Sequence, residues 1–267
     1  MIRIRDNGLV YYQFENLAAH KGLTHAVFTR LGGVSLPPYD SLNVASVVGD
    51  DPEAVQTNRE RIYAALNLPP ERVVTGYQVH GTRVAAVGAS LGGHLLPATD
   101  GLITNEPVAL FLRFADCVPI LLFDPVTRAT GALHAGWRGT AAGMAAEGVR
   151  HMRQQFGSRP EDLIACIGPS IGPCCYQVGA DFVEAMSAAW PGAQPFIQNT
   201  PDGPHADLWG MNRQQLLDAG VRQIEVAHLC TACHTGEFFS HRGNGGRTGR
   251  FGVILQPTKE TTKTRRH

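Results

Sequence analysis

The chain has 267 residues, and its 23 Lys plus Arg are balanced by 23 Asp plus Glu, giving a formal net charge of zero at pH 7. That balance gives no general attraction for nucleic acid or for an anionic membrane surface, so neither is expected as a partner. No apolar run approaches the roughly 20 residues that cross a bilayer, and the opening MIRIRDNGLVYYQF lacks the apolar core of a secretory signal; a cytoplasmic protein is expected.

Residues 9–14 and 24–29 read as strands, and the second runs into Arg30-Leu31-Gly32-Gly33-Val34-Ser35. An Arg followed by two glycines is either a tight turn with a solvated guanidinium or a loop that approaches an anion. Asp51-Pro52-Glu53 is a helix start, with a capping carboxylate, Pro at the first helical position and an acid in the first turn. The helix is predicted over 52–67, with Val55, Ile62 and Leu66 on one face. Strands are expected at 73–79 and 83–87, separated by His80-Gly81, and at 101–104 after Asp100.

The stretch ALFLRFADCVPILLFDPVTRATGALHAGWRGT, residues 109–140, is the centre of the chain. Its apolar runs suit the interior of a sheet, but the Asp116-Cys117 pair between two of them has no packing reason to be there. His134 closes a third run, and His80 sits in the same way between two earlier strands. Two imidazoles and one thiolate would give a tetrahedral zinc three ligands and an open fourth position, the pattern of a catalytic site. The spacing alone also allows a core histidine with a buried Cys. It further allows a metal-free hydrolase in which His80 or His134 activates Cys117 and Asp116 orients the base.

A helix is predicted over 139–156, with Ala145, Val149, Met152 and Phe156 at helical spacing and Arg138 beside its start, where an anion could sit. Beyond it come a strand at 162–167, the Gly/Pro loop GPSIGPCCYQV, helices at 181–189 and 208–219, and strands at 223–228 and 250–255. Six cysteines in a reducing compartment read as thiols, ligands or packing residues rather than disulfides. Cys174 and Cys175 are therefore thiols on a loop. Cys230 to His234 spells CxxCH, a haem-attachment spacing that requires export, and His228, Cys230, Cys233 and His234 alone would make a cramped zinc cage. Arg242, Arg247 and Arg250 in the run HRGNGGRTGR are either solvated or suited to phosphate or carboxylate.

Helices and strands alternate irregularly, and several strand pairs are joined too tightly for parallel crossovers. The expected fold class is α/β (α+β), with mixed sheets flanked by helices. With no linker in sight, residues 1–258 are read as a single catalytic domain and 259–267 as a polar tail.

The segments TRLGGVS with SLN, QVHGTRV, ADCVPI, HAGWRGT, GPSIGPCCYQV and LCTACH followed by FFSHR and TGR, taken in order, resemble the bacterial laccase-domain family. Its members were first described as multicopper polyphenol oxidoreductases. They are now read as zinc-dependent purine nucleoside phosphorylases with adenosine deaminase and methylthioadenosine phosphorylase activity, and have also been described as peptidoglycan editing factors. The resemblance implies a single-domain layered fold and a catalytic metal on His80, Cys117 and His134. Zn2+ is the expected ion, with Cu2+ possible because it outcompetes zinc for nitrogen and sulfur ligands. A multicopper oxidase would need more clustered ligands than one three-residue site supplies.

The substrates implied are phosphate and a purine nucleoside: adenosine, inosine, guanosine or methylthioadenosine. Arg30, Asn43 in the SLN segment and Arg138 are the candidate substrate or phosphate ligands. Cys117, Asp116 and Gln78 are the candidate catalytic residues, the last two supporting the metal ligands or the substrate. Copper-dependent polyphenol oxidation, metal-free Cys-His hydrolysis and editing of cell-wall precursors are the alternatives, and a monomer or weak homo-oligomer is expected.

Overall fold

A computed structural model describes residues 1–258; the tail expected at 259–267 lies outside them. The first part of the chain supplies β1 (Ile2–Asp6), β2 (Leu9–Gln13), the one-turn helix α1 (Glu15–Ala18), β3 (Leu23–Phe28), helix α2 (Pro52–Ala65) and β4 (Val73–Gly76). Next come β5 (Val84–Ala86), β6 (Leu95–Leu96), β7 (Gly101–Thr104), β8 (Ala109–Phe114), β9 (Val118–Phe123), β10 (Thr130–Ala135), α3 (Trp137–Ala141) and α4 (Met144–Phe156). The remainder forms β11 (Ile164–Ile167), α5 (Ala180–Ala189), β12 (Ile197–Thr200), β13 (Gly203–Ala206), α6 (Leu208–Asp218), β14 (Gln223–Val226) and β15 (Phe251–Pro257).

Two mixed sheets result. One has the order β1-β2-β3-β15-β8-β4-β6 and the other β14-β11-β9-β10-β7-β5, while β12 and β13 make a separate hairpin. Most neighbours are antiparallel, but β4 runs parallel to β8 and β6, β5 to β7, and β11 to β14. The expectation of mixed sheets flanked by helices is met.

Side chains alternate between the faces of a strand, and the central strands are apolar on both. In β8, Ala109 and Phe111 face outward into a cluster with Ile62 of α2, whereas Leu110, Leu112 and Phe114 face Leu121 and Phe123 of the other sheet. In β9, Ile120 and Leu122 point the opposite way, onto Met144 and Val149 of α4 and Leu216 of α6. The layers therefore run helix, sheet, sheet, helix. Each fully buried Leu or Phe stabilises this arrangement by about 1.5–3 kcal/mol relative to an exposed one.

Local chemistry sets the element ends. Asp51 accepts the Glu53 N–H at 3.1 Å, and α2 starts at Pro52 as expected. The helix predicted over 139–156 is instead two: α3 begins already at Trp137, and α4 begins after Gly143, whose φ of +82° breaks the helical path. The strand predicted over 73–79 pairs only through Gly76, because Val79 and its neighbours turn away to bond a side chain. β1, β6 and the β12–β13 hairpin carry no strong pattern and were not anticipated. The Gly32-Gly33 loop makes a close approach, but to the chain itself: a Cβ on Gly33 would lie 2.0 Å from the Ser41 carbonyl oxygen.

His25 in β3 is fully buried; its Nε2 accepts the Phe14 N–H at 2.8 Å, and its Nδ1 has no partner among the described residues. Burial pushes its pKa down from 6.5 to about 4. Because the folded value lies below the unfolded one, the stability tied to neutral His25 is complete above pH 6.5 and is lost as pH falls toward 4. Between pH 7.5 and 5 this amounts to about 2 kcal/mol of unfolding free energy. Urea unfolding at the two pH values should therefore show a smaller pH dependence in His25→Gln than in the unaltered chain. An identical dependence would exclude His25 as its source.

Candidate active site

Three strand ends meet at one point. Val118↔Ala135 and Pro119↔His134 are register pairs of β9 and β10, which sets Cys117, just before β9, beside the end of β10. His134 shares the face of β10 that carries Ala132, directed between the sheets, and its ring centroid lies 5.4 Å from that of Phe114. His80 arrives from the segment after β4, with its ring centroid 5.0 Å from that of His134. One donor atom from each of His80, Cys117 and His134 lies within 4.8 Å of the others.

The convergence is organised by a carboxylate that the sequence reading noted only as the residue before a strand. Asp100 is fully buried. Its Oδ1 bonds His134 Nδ1 at 2.9 Å and accepts the His80 N–H at 2.9 Å, while Oδ2 accepts the N–H groups of Val79 at 3.1 Å and Gly81 at 3.0 Å. Burial alone would raise its pKa, but the His134 bond and charge and the Val79 and Gly81 amides outweigh that and hold it below the usual carboxylate range. His80 has a φ of +63°, a region that non-glycine residues rarely occupy, and the amides bonded to Asp100 hold it there.

Burial opposes ionisation of Cys117, yet the His134 charge and the hydrogen bonds to His134 and His80 draw its thiol well below the ordinary value. His134 is raised in turn, its desolvation outweighed by Cys117 and Asp100. The donors suit a metal ion. With His134 Nδ1 bonded to Asp100, its Nε2 is the free ligand nitrogen. The absent side chain at Gly136 makes room for the group, since a Cβ there would lie 2.7 Å from His80 Cδ2 and 3.2 Å from Cys117 Sγ. Two nitrogens and a thiolate could hold zinc and leave one position open.

The three donors open into a cavity of about 460 Å³, within the usual size range of small-molecule sites. Tyr77, Trp137 and Tyr176 contribute aromatic surface, and Arg113, Arg138, Arg242 and Arg250 contribute four guanidinium groups. Arg138 stacks on Trp137, 4.3 Å from its ring centroid, and among the described residues it pairs with no carboxylate. Burial lowers Arg113 to about 10, which leaves it charged at neutral pH.

The other candidates divide. Asp116 and Gln78 line the cavity, but neither bonds a ligating imidazole. Asp116, at a φ of +80°, accepts from Thr231 Oγ1 and from the Arg242 N–H, each at 2.6 Å, tying two later loops to the β8–β9 corner. Gln78 brackets Arg113, donating to its carbonyl at 2.8 Å and accepting its N–H at 3.1 Å. Arg30 does not line the cavity: it donates to the Asp40 and Thr235 carbonyl oxygens, pairs with the Asp40 carboxylate at 3.1 Å and lies over Phe239. Asn43 is wholly buried, holding Ala45 and the Arg250 N–H in place behind the wall. Arg242 and Arg250, which the sequence left as solvated or anion-binding, face the cavity, while Arg247 does not. The helix start expected after Gly139 falls instead at Trp137, where a five-residue helix begins with Gly136, Trp137 and Arg138 in the cavity lining.

A family model described as multi-copper polyphenol oxidoreductase laccase matches residues 24–256. A purine nucleoside phosphorylase of Bacteroides thetaiotaomicron is 37% identical over 91% of this chain and 95% of its own length. The purine nucleoside phosphorylase YlmD of Geobacillus stearothermophilus is 40% identical over 90% and 92%. The crystal structure of YlmD from Geobacillus stearothermophilus superposes with a TM-score of 0.90 at 37% identity, covering 97% of this chain and 99% of that one.

Removing the charge on Asp100 leaves the His134 ring without its anionic partner. Asp100→Asn is expected to weaken uptake of a divalent ion by His80, Cys117 and His134 about ten- to a hundredfold, as read by competition with a chromophoric chelator. Equal affinity in the two proteins would mean that the carboxylate does not set the ring.

Proposed function

The chain belongs to the multi-copper polyphenol oxidoreductase laccase family, and from that membership we propose that it is a purine nucleoside phosphorylase acting on adenosine, inosine, guanosine or methylthioadenosine. The observation that carries the reading is the cavity itself, in which four guanidinium groups and three aromatic faces surround His80, Cys117 and His134 with Asp116 as the carboxylate in its wall. Such a lining recognises an anion beside a flat heterocycle.

In this reading Arg138 and Arg242, with Arg113 and Arg250 behind them, gather phosphate and screen its charge from the ribose. The aromatic faces of Tyr77, Trp137 and Tyr176 hold the base. A phosphate oxygen attacks C1′, the bond from C1′ to the purine nitrogen breaks, and its electron pair leaves with the base, giving ribose 1-phosphate after proton uptake by the purine. Holding both reactants in one cavity is itself a large part of the acceleration. His80, Cys117 and His134 would hold zinc, which when bound supplies Lewis-acid polarisation of an oxygen. Asp100 keeps His134 in the tautomer that presents Nε2. Asp116 keeps Arg242 at the rim and has carboxylate lone pairs left for a substrate hydroxyl, while Gln78 positions Arg113.

The same lining supports deamination of adenosine as an additional activity, with Asp116 as the carboxylate in the cavity wall. A metal-free hydrolase is favoured by one observation, the chain of contacts from Cys117 through His134 to Asp100, which is the order of a nucleophile, a base and an orienting carboxylate.

These readings separate in one set of assays. The purified protein should release free base and ribose 1-phosphate from inosine or adenosine only when phosphate is present. Zinc removal should abolish turnover and zinc return should restore it, whereas a Cys-His hydrolase would be indifferent to the chelator. Arg138→Gln should raise the KM for phosphate about ten- to a hundredfold, the effect of losing a charged hydrogen bond. Inosine formed from adenosine without phosphate would establish the deaminase. Phenol oxidation in proportion to copper content, with no phosphorolysis, would replace the proposal by an oxidase.

A further inference from the structure

The two cysteine pairs that the sequence leaves unconnected come together at the surface. Cys174 and Cys175, on the loop before α5, meet Cys230 and Cys233, and all four sulfur atoms lie within 4.8 Å of one another. Cys233 Sγ is 3.5 Å from Cys174 Sγ and 3.3 Å from Cys175 Sγ. A tetrahedral ion with metal–sulfur bonds of about 2.3 Å requires sulfurs about 3.8 Å apart, so the cluster is near the size that one ion would draw it to. It is too tight for a multi-iron cluster, whose ligating sulfurs must spread around several metal atoms.

Two alternatives explain the cluster less well. Buried cysteine packs as a small apolar residue, but here only Cys230 is buried, whereas Cys174 and Cys233 are exposed. A disulfide would leave Cys233 facing two partners and engaging one. The amide geometry points instead to a thiolate at Cys230, whose Sγ accepts the Gly172 N–H at 3.2 Å and also faces the backbone N–H of Cys233. Amides aimed at the first sulfur of a CxxC turn stabilise negative charge there. His234, which made the spacing resemble a haem site, turns its Nδ1 to the Cys230 carbonyl oxygen at 2.9 Å, and His228 packs on Trp209.

We propose that Cys174, Cys175, Cys230 and Cys233 form a second metal site, a tetrathiolate centre that binds one zinc ion. Four thiolates close the coordination shell, so its role is structural. It joins the loop that carries Ile171 and Tyr176 to the segment that carries Thr231, His241 and Arg242. Ile171, Tyr176, His241 and Arg242 all line the cavity. The ion would therefore fasten one wall of the active site from behind, and its presence does not depend on which reaction the cavity performs.

The test is metal stoichiometry in the full chain, purified under reducing conditions and analysed for zinc by mass spectrometry. Cys174→Ser combined with Cys233→Ser should carry one zinc fewer per chain than the unaltered protein, whatever the occupancy at Cys117, and Cys117→Ala should keep that equivalent. Equal zinc in the unaltered and doubly substituted proteins would overturn the proposal. Cobalt added to the metal-free unaltered chain and to Cys117→Ala serves if the double variant does not fold. An intense sulfur-to-cobalt charge-transfer band shared by both supports the site, and its absence from Cys117→Ala overturns it. A disulfide involving Cys233 in freshly purified, alkylated protein, with no thiolate-bound metal, would overturn it as well.

Discussion

Everything at the active site rests on the buried Asp100 carboxylate. It is desolvated in full, which is tolerable only because four hydrogen bonds meet it: three from consecutive backbone amides at residues 79–81 and one from His134. Those bonds do two jobs at once. They bend the chain after β4 into the left-handed turn that brings His80 across, and they fix the tautomer of His134. The thiol of Cys117 then faces two imidazoles whose positions are already settled, which is the preorganisation that an ion or a nucleophile needs.

Around that centre the charge pattern differs sharply from that of the whole molecule. The chain is neutral overall, yet the cavity gathers Arg113 from β8, Arg138 from α3, and Arg242 and Arg250 from the loop that leads into β15. Zero net charge over the whole chain thus coexists with a locally cationic cavity. Asp116 fits the same logic. Its two oxygens are engaged with Thr231 and Arg242, so it holds the cationic rim against the strands.

The layered fold could be read from residue patterns wherever periodicity was strong. The central strands, α2 and α6 were legible because continuous apolar runs, helical spacing and an N-cap are local signals. His80, Cys117 and His134 stood out because chemistry-bearing residues interrupt strands that packing alone would make apolar. Asp100 escaped notice because three of its four partners are main-chain amides some twenty residues away and the fourth, His134, lies further along the chain, a set that no local motif records. Arg30 misled because a glycine pair permits close approach without saying to what, and here the neighbour is the backbone of Ser41. The two cysteine pairs were each visible, but only tertiary structure brings 174–175 to 230–233.

The provenance of the three donors has a further consequence. His80 leaves one sheet, His134 ends a strand of the other, and Cys117 sits on the corner that links them. No contiguous fragment shorter than that span contains the set, and neither sheet owns it. The site is thus a gauge of how the two halves of the sandwich are seated. A slip of one sheet over the other would scatter the donors before it opened the core, and any ligand gripped there clamps the interlayer alignment.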